Sequence, residues 1–154
     1  MDFSNITTPV RVDLLISFTD IQGFSRIAQQ LQDLNRLFEL LNNWATILIN
    51  QIETAGGRVI KFIGDSCLSV FPAEGTDAGV RALLSAKQEA ETFLKVQGFA
   101  STMRVTGHVG EAIVGLFGAG GCRGVDVFGE SVNTSAALER NDRRNFFASG
   151  RIFS

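Results

Sequence analysis

Residues 12–25 read VDLLISFTDIQGFS. Val12, Leu14, Ile16 and Phe18 alternate with Asp13, Leu15, Ser17 and Thr19, the period-two pattern of a β-strand. The strand turns polar at Thr19-Asp20, Gly23 follows, and a helical stretch begins near Phe24. An acid at the end of an apolar strand, just ahead of a helix, is the feature from which the rest of the chain is read.

Downstream, Leu34, Leu37, Phe38, Leu41, Ala45, Leu48 and Ile52 recur at threes and fours. That spacing predicts a long amphipathic helix with these residues on its buried face, stopped by Gly56-Gly57. Two short apolar runs, 59–63 and 68–71, flank Gly64-Asp65, a Gly-Asp step that signals a hairpin. Pro72 closes it. Residues 76–96 predict another amphipathic helix, with Ala82, Leu83, Ala86, Ala90, Phe93 and Leu94 inward and Gly98 at its end. Met103, Val105, Gly107 and Val109 alternate again. Residues 112–117 supply a partner strand, with Gly110 as the turn or bulge between the two. The glycine-rich stretch 118–124 leads into residues 125–129 and a short helix running to about Arg140. The tail 141–154 carries one weak strand at residues 151–153. The order strand, two helices, hairpin, helix, hairpin, helix predicts an α+β domain with helices on one face of a mostly antiparallel sheet. Residues 1–154 read as a single domain without internal repeat or low-complexity linker.

Bulk properties narrow the function. The 154 residues carry a formal charge of −2 and are 45% apolar, with thirteen Phe and no Tyr. That charge, without a Lys/Arg run, argues against a nucleic-acid binder. Cys67 and Cys122 form no Cys-x-x-Cys pair and read as reduced thiols. Residues 1–11 do not resemble a signal peptide, and the apolar runs fall far short of the ~20 residues of a membrane span. The sequence predicts a soluble, cytoplasmic protein with no membrane segment.

Asp20 and Asp65 stand at a strand end and a hairpin tip. Carboxylates on such rigid positions suit hard divalent cations, and a pair of them suits a two-metal clamp on a phosphoryl displacement. The plain alternative is that Asp20 caps a helix and Asp65 makes a turn.

The surrounding residues weigh on that choice. Phe18-Thr19-Asp20-Ile21-Gln22-Gly23-Phe24-Ser25 resembles the first metal motif of the class III adenylate/guanylate cyclase catalytic domains. Lys61-Phe62-Ile63-Gly64-Asp65 resembles their second, and Asp126-Val127-Phe128-Gly129-Glu130-Ser131-Val132-Asn133 their third. Residues 104–110 and 115–118 are similar to the strand pair between them. The resemblance implies a ferredoxin-like βαββαβ core and a reaction that turns ATP into 3′,5′-cyclic AMP and pyrophosphate. It implies two Mg²⁺ or Mn²⁺ ions per site on Asp20 and Asp65, with the Ile21 carbonyl as a further ligand. It implies that backbone N–H groups of Ile21, Gln22, Gly23, Phe24 and Ser25 cradle the triphosphate at a helix N-terminus. Lys61 and Asp126 occupy the base-reading positions and suit N1 and N6 of adenine, and Asn133 orients the ribose. Each site takes its metal aspartates from one subunit and its base readers and Asn from the other, so a homodimer is expected.

The chain departs from the family pattern in two places. An Arg is expected four residues after Asn133, where this chain has Ala137, and Arg140 lies three residues further round the helix. The family's closing strands and a triphosphate-binding Lys would follow Ser154, so the C-terminal end reads as truncated. These departures leave a second reading open: a weak or inactive pseudo-cyclase that dimerises and binds nucleotide. His108 reads as a packing or interface residue, and stretch 118–124 as a hairpin connection without a P-loop pattern.

Overall fold

The computed structural model describes residues 1–141 and 146–150. The elements are β1 (Val10–Ile21), α1 (Phe24–Leu31), α2 (Leu34–Thr54), β2 (Arg58–Ile63), β3 (Ser66–Pro72), α3 (Thr76–Val96), β4 (Met103–Phe117), β5 (Gly124–Phe128), α4 (Glu130–Asn141) and β6 (Phe146–Gly150). The strands form one sheet in the order β2-β3-β1-β4-β5, with β6 pairing β4 in parallel beside its first half. All other pairings are antiparallel. The first four strands and their helices give the expected βαββαβ core.

Alternation along β1 sends its side chains to two separate cores. Leu15 and Ile21 join Phe71, Val105 and the buried residues of α2 and α3. Leu14, Ile16 and Phe18 join Leu68, Val70, Ala112, Val114 and Val127, together with Phe3 and Ile6 of the N-terminal segment. Trp44 anchors the first core. It is fully buried, its Nε1–H donates to Met103 Sδ at 3.2 Å, and its ring meets Phe62 edge-on at 5.6 Å. Asp33 caps α2, accepting from the N–H groups of Asn35 and Arg36.

Three details differ from the sequence reading. Residues 103–117 form one continuous strand, and Gly110 pairs with Leu14 instead of turning the chain. Its lack of a side chain has a tertiary cause. A Cβ there would stand 2.2 Å from Ser131 Oγ on α4, so the glycine lets that helix approach. The true hairpin joins β4 to β5 through the glycine-rich stretch, as its reading as a connection implied. The helices also lie on both faces: α1, α2 and α3 border the first core, whereas Val132 and Ala136 of α4 pack on the second. On α2 the buried residues are Leu40, Trp44, Leu48 and Ile52, while Leu34 and Phe38 are 83% and 71% exposed. The weak strand expected at residues 151–153 lies outside the described residues, and the strand described ahead of it is β6.

Candidate active site

The polar end of β1 sits between two strands, with Asp20 opposite Ser66 of β3 and Arg104 of β4. Arg104 grips the Asp20 carboxylate with both ends of its fork, Nε to Oδ1 and Nη2 to Oδ2, each at 3.0 Å. Both side chains are mostly buried, Arg104 at 22% and Asp20 at 15% exposure. Such a two-point ion pair fixes the carboxylate's direction.

Asp65 arrives at the same place from the β2–β3 turn. Its carbonyl accepts the Ile21 N–H at 3.3 Å, which ties the hairpin tip to the end of β1. Burial pushes the Asp65 carboxyl above its ordinary value, the Asp20 charge adds to the rise, and the N–H groups of Asp65 and Ile21 work against it. A carboxylate raised by burial and by a neighbouring acid is one a cation would relieve. The oxygens of both acids are the hard donors Mg²⁺ and Mn²⁺ prefer, so the residues fit such ions. Among the described residues no three of His, Cys, Asp or Glu group into a metal nest. A cation here would therefore complete its shell with phosphate oxygens and water.

Beyond Asp20 the chain turns through Gln22 and Gly23 into α1. Gly23 takes a left-handed φ of 74°, which a side chain resists, and caps the helix without a side-chain bond. Two of the five expected phosphate donors are already engaged: the Ile21 N–H by Asp65, and the Gln22 N–H by the Thr102 carbonyl at 2.9 Å. At a helix start the first N–H groups, here those of Gly23, Phe24 and Ser25, have no acceptor within the helix, a setting that favours an anion. Phe24 packs on the first core, and Ser25 is exposed.

Lys61 and Asp126 come from β2 and β5, at the two ends of the strand order, yet Lys61 Nζ donates to Asp126 Oδ2 at 2.7 Å. The sheet therefore curls about its second face. A bulge between Val59 and Lys61 helps: Ile60 packs in the second core, and Lys61 lies opposite Leu68 of that same core. Asp126 accepts a further bond from the Val127 N–H, and Lys61 stays 44% exposed. Asn133 is exposed on α4, Ala137 half-buried and Arg140 exposed. His108 sits opposite Ile16, beside Gly110, and burial lowers its pKa.

Two charged residues at the site escaped the sequence reading. One is Arg104. The other is Glu139 of α4, whose Oε1 accepts the Ser66 hydroxyl at 3.2 Å. Burial raises the Glu139 pKa, Asp20 and Asp65 raise it further, and Ser66 and Arg104 oppose the shift.

Paired acids at strand ends, an open helix start beside them and a Lys–Asp couple on the concave face define a domain suited to nucleotide triphosphate chemistry. Residues 11–145 match the adenylate and guanylate cyclase catalytic domain, and the chain belongs to that family. An adenylate cyclase of Anabaena cylindrica is 23% identical over 134 residues, 82% of this chain and 26% of that protein. One of Streptomyces coelicolor A3(2) is 29% identical over 126 residues, 81% of this chain and 29% of that protein. The crystal structure of the adenylyl cyclase CyaB from P. aeruginosa superposes with a TM-score of 0.82 at 24% identity, covering 92% of this chain and 79% of that one. The chain thus spans between a quarter and a third of the length of these two curated relatives. No helix among the described residues is long and apolar enough to cross a membrane.

Proposed function

We propose that this chain is an adenylate cyclase domain converting ATP to 3′,5′-cyclic AMP and pyrophosphate at a homodimer interface. The observation that carries the choice of base is the Lys61–Asp126 couple, a donor beside an acceptor at 2.7 Å on the concave face. Adenine presents the complementary edge, an acceptor at N1 and a donor at N6. Asp20 and Asp65 would hold two Mg²⁺ or Mn²⁺ ions, with the Ile21 carbonyl as a further ligand. When bound, such ions lower the pKa of the ribose 3′-hydroxyl and neutralise the departing pyrophosphate. The N–H groups of Gly23, Phe24 and Ser25 hold the triphosphate, so that the 3′-oxygen bonds to the α-phosphorus as the bond to pyrophosphate breaks. Asn133, exposed on α4, orients the ribose across the subunit boundary.

Apolar side chains left on the surface support the dimer. Phe117 and Phe128 meet with ring centroids 4.9 Å apart and planes tilted by 58° on the β4–β5 hairpin, at 59% and 44% exposure, and such clusters favour association. Incubating the purified chain with Mn²⁺ and ATP tests the reading directly. Cyclic AMP is the expected product, and a folded dimer that makes none refutes it. Lys61→Glu with Asp126→Cys is expected to weaken the preference for ATP over GTP, and unchanged selectivity would remove these residues from base reading.

Ala137 favours a second reading, a pseudo-cyclase that binds nucleotide without turnover. A missing donor to transition-state charge typically costs about 10²–10³ in rate. Ala137→Arg separates the two, since a gain of cyclic AMP formation marks a working site short of one donor.

A further inference from the structure

Helix α4 presents different residues in different directions. Ser135 is buried and its Oγ donates to the Ile16 carbonyl at 3.0 Å, which seats the helix on β1. Glu139 follows four residues later on the same side of the helix, and its Oε1 accepts from Ser66 Oγ at 3.2 Å. Ser66 is the first residue of β3, next to Asp65 and directly opposite Asp20. Asn133 faces solvent instead, about 9 Å away along the helix axis. The contact is also a costly one to keep. It holds a half-buried carboxylate in the field of two others, Asp20 more than Asp65. A helix held on the sheet only by packing would place an apolar residue there.

We propose that Glu139 is a positioning residue for the cation site of its own chain: by holding the Ser66 hydroxyl it fixes the hairpin tip that aims Asp65 at Asp20. The inference rests on reading these two aspartates as cation ligands. Glu139 acts through Ser66 and is not itself a ligand, in keeping with the lack of a three-acid nest among the described residues. The same bond joins the hairpin to the helix that carries Asn133, so disturbing one moves the other.

The test is Mn²⁺ binding to the full chain without nucleotide, followed by electron paramagnetic resonance. Ser66→Ala keeps every charge and removes only the bond, and it is expected to weaken Mn²⁺ binding about tenfold. Glu139→Ala is expected to weaken it at least as much. Ser66→Thr retains the hydroxyl and Glu139→Gln retains an acceptor oxygen, so both should bind more tightly than the alanine variants. Wild-type affinity in Ser66→Ala overturns the proposal. So does Glu139→Gln binding no better than Glu139→Ala, because the charge alone would then matter. Absence of Mn²⁺ binding by the wild-type chain at millimolar concentration overturns the cation site itself, which separates the two failures.

Discussion

The sheet's two faces are closed by unequal means. Two 21-residue helices seal the first, burying Trp44, Leu48, Ile52, Leu83 and Leu94 almost completely. The second is covered by α4, a helix of 12 residues, and by a short N-terminal segment. Its rim carries Asp20, Arg104, Glu139, Lys61 and Asp126. The well-packed face supplies stability from apolar burial, and the thinly covered face spends some of it on charges held close together. A sheet shared by both lets the first hold the second rigid enough for the acids to keep their places.

Four substitutions sharpen or break that contrast, in falling order of effect. Asp20→Ala is expected to lower cyclic AMP formation by about 10³-fold or more while unfolding remains cooperative. Activity within tenfold of wild type would show that the charged rim is ordinary surface. Trp44→Ala empties the packed core and is expected to cost about 3–5 kcal/mol in urea unfolding. A smaller loss than that from Gly110→Ala would reverse the assigned roles of the two faces. Gly110→Ala drives a methyl group into Ser131 and should destabilise by about 1–3 kcal/mol. The double variant with Ser131→Gly should recover most of the loss, and failure to recover would place the cause elsewhere than in α4.

The smallest effect is one of pH. The folded-state pKa of Asp65 lies above its ordinary 3.8. The folded chain therefore holds this proton more tightly than the unfolded one. The resulting stabilisation is complete below the unfolded value and is lost as pH rises through the folded one. At neutral pH the ionised Asp65, half-buried and in the field of Asp20, is a net cost, so Asp65→Asn should raise Tm by about 2–4 °C for each kcal/mol relieved while abolishing turnover. A lower Tm at pH 7 would mean that burial and the Asp20 charge do not strain this carboxylate.

Much of this was legible in the chain itself. The polar end of β1, the Gly64-Asp65 hairpin and the inward stripe of α3 follow from local periodicity, which packing left unchanged. Gly110 was misread because glycine signals a turn in sequence, whereas here it clears space for a helix more than twenty positions later. The stripe on α2 was misplaced because its apolar residues span a broad arc, and only the sheet decides that Trp44 at one side of it goes in and Phe38 at the other stays out. Arg104 and Glu139 gave no signal of their own. Their partners lie 84 and 73 positions away, and a charged residue in a strand or helix ordinarily faces water.

Mixing two inactive chains tests the shared site most directly. Asp20→Asn lacks the metal half and Lys61→Glu lacks the base-reading half, but a dimer of one with the other keeps one intact pair of halves. With equal amounts and free exchange, cyclic AMP formation from ATP and Mn²⁺ should return to about a quarter of the wild-type rate, given a two-fold symmetric dimer. A mixture that dimerises and still makes no more product than either variant alone would contradict the account.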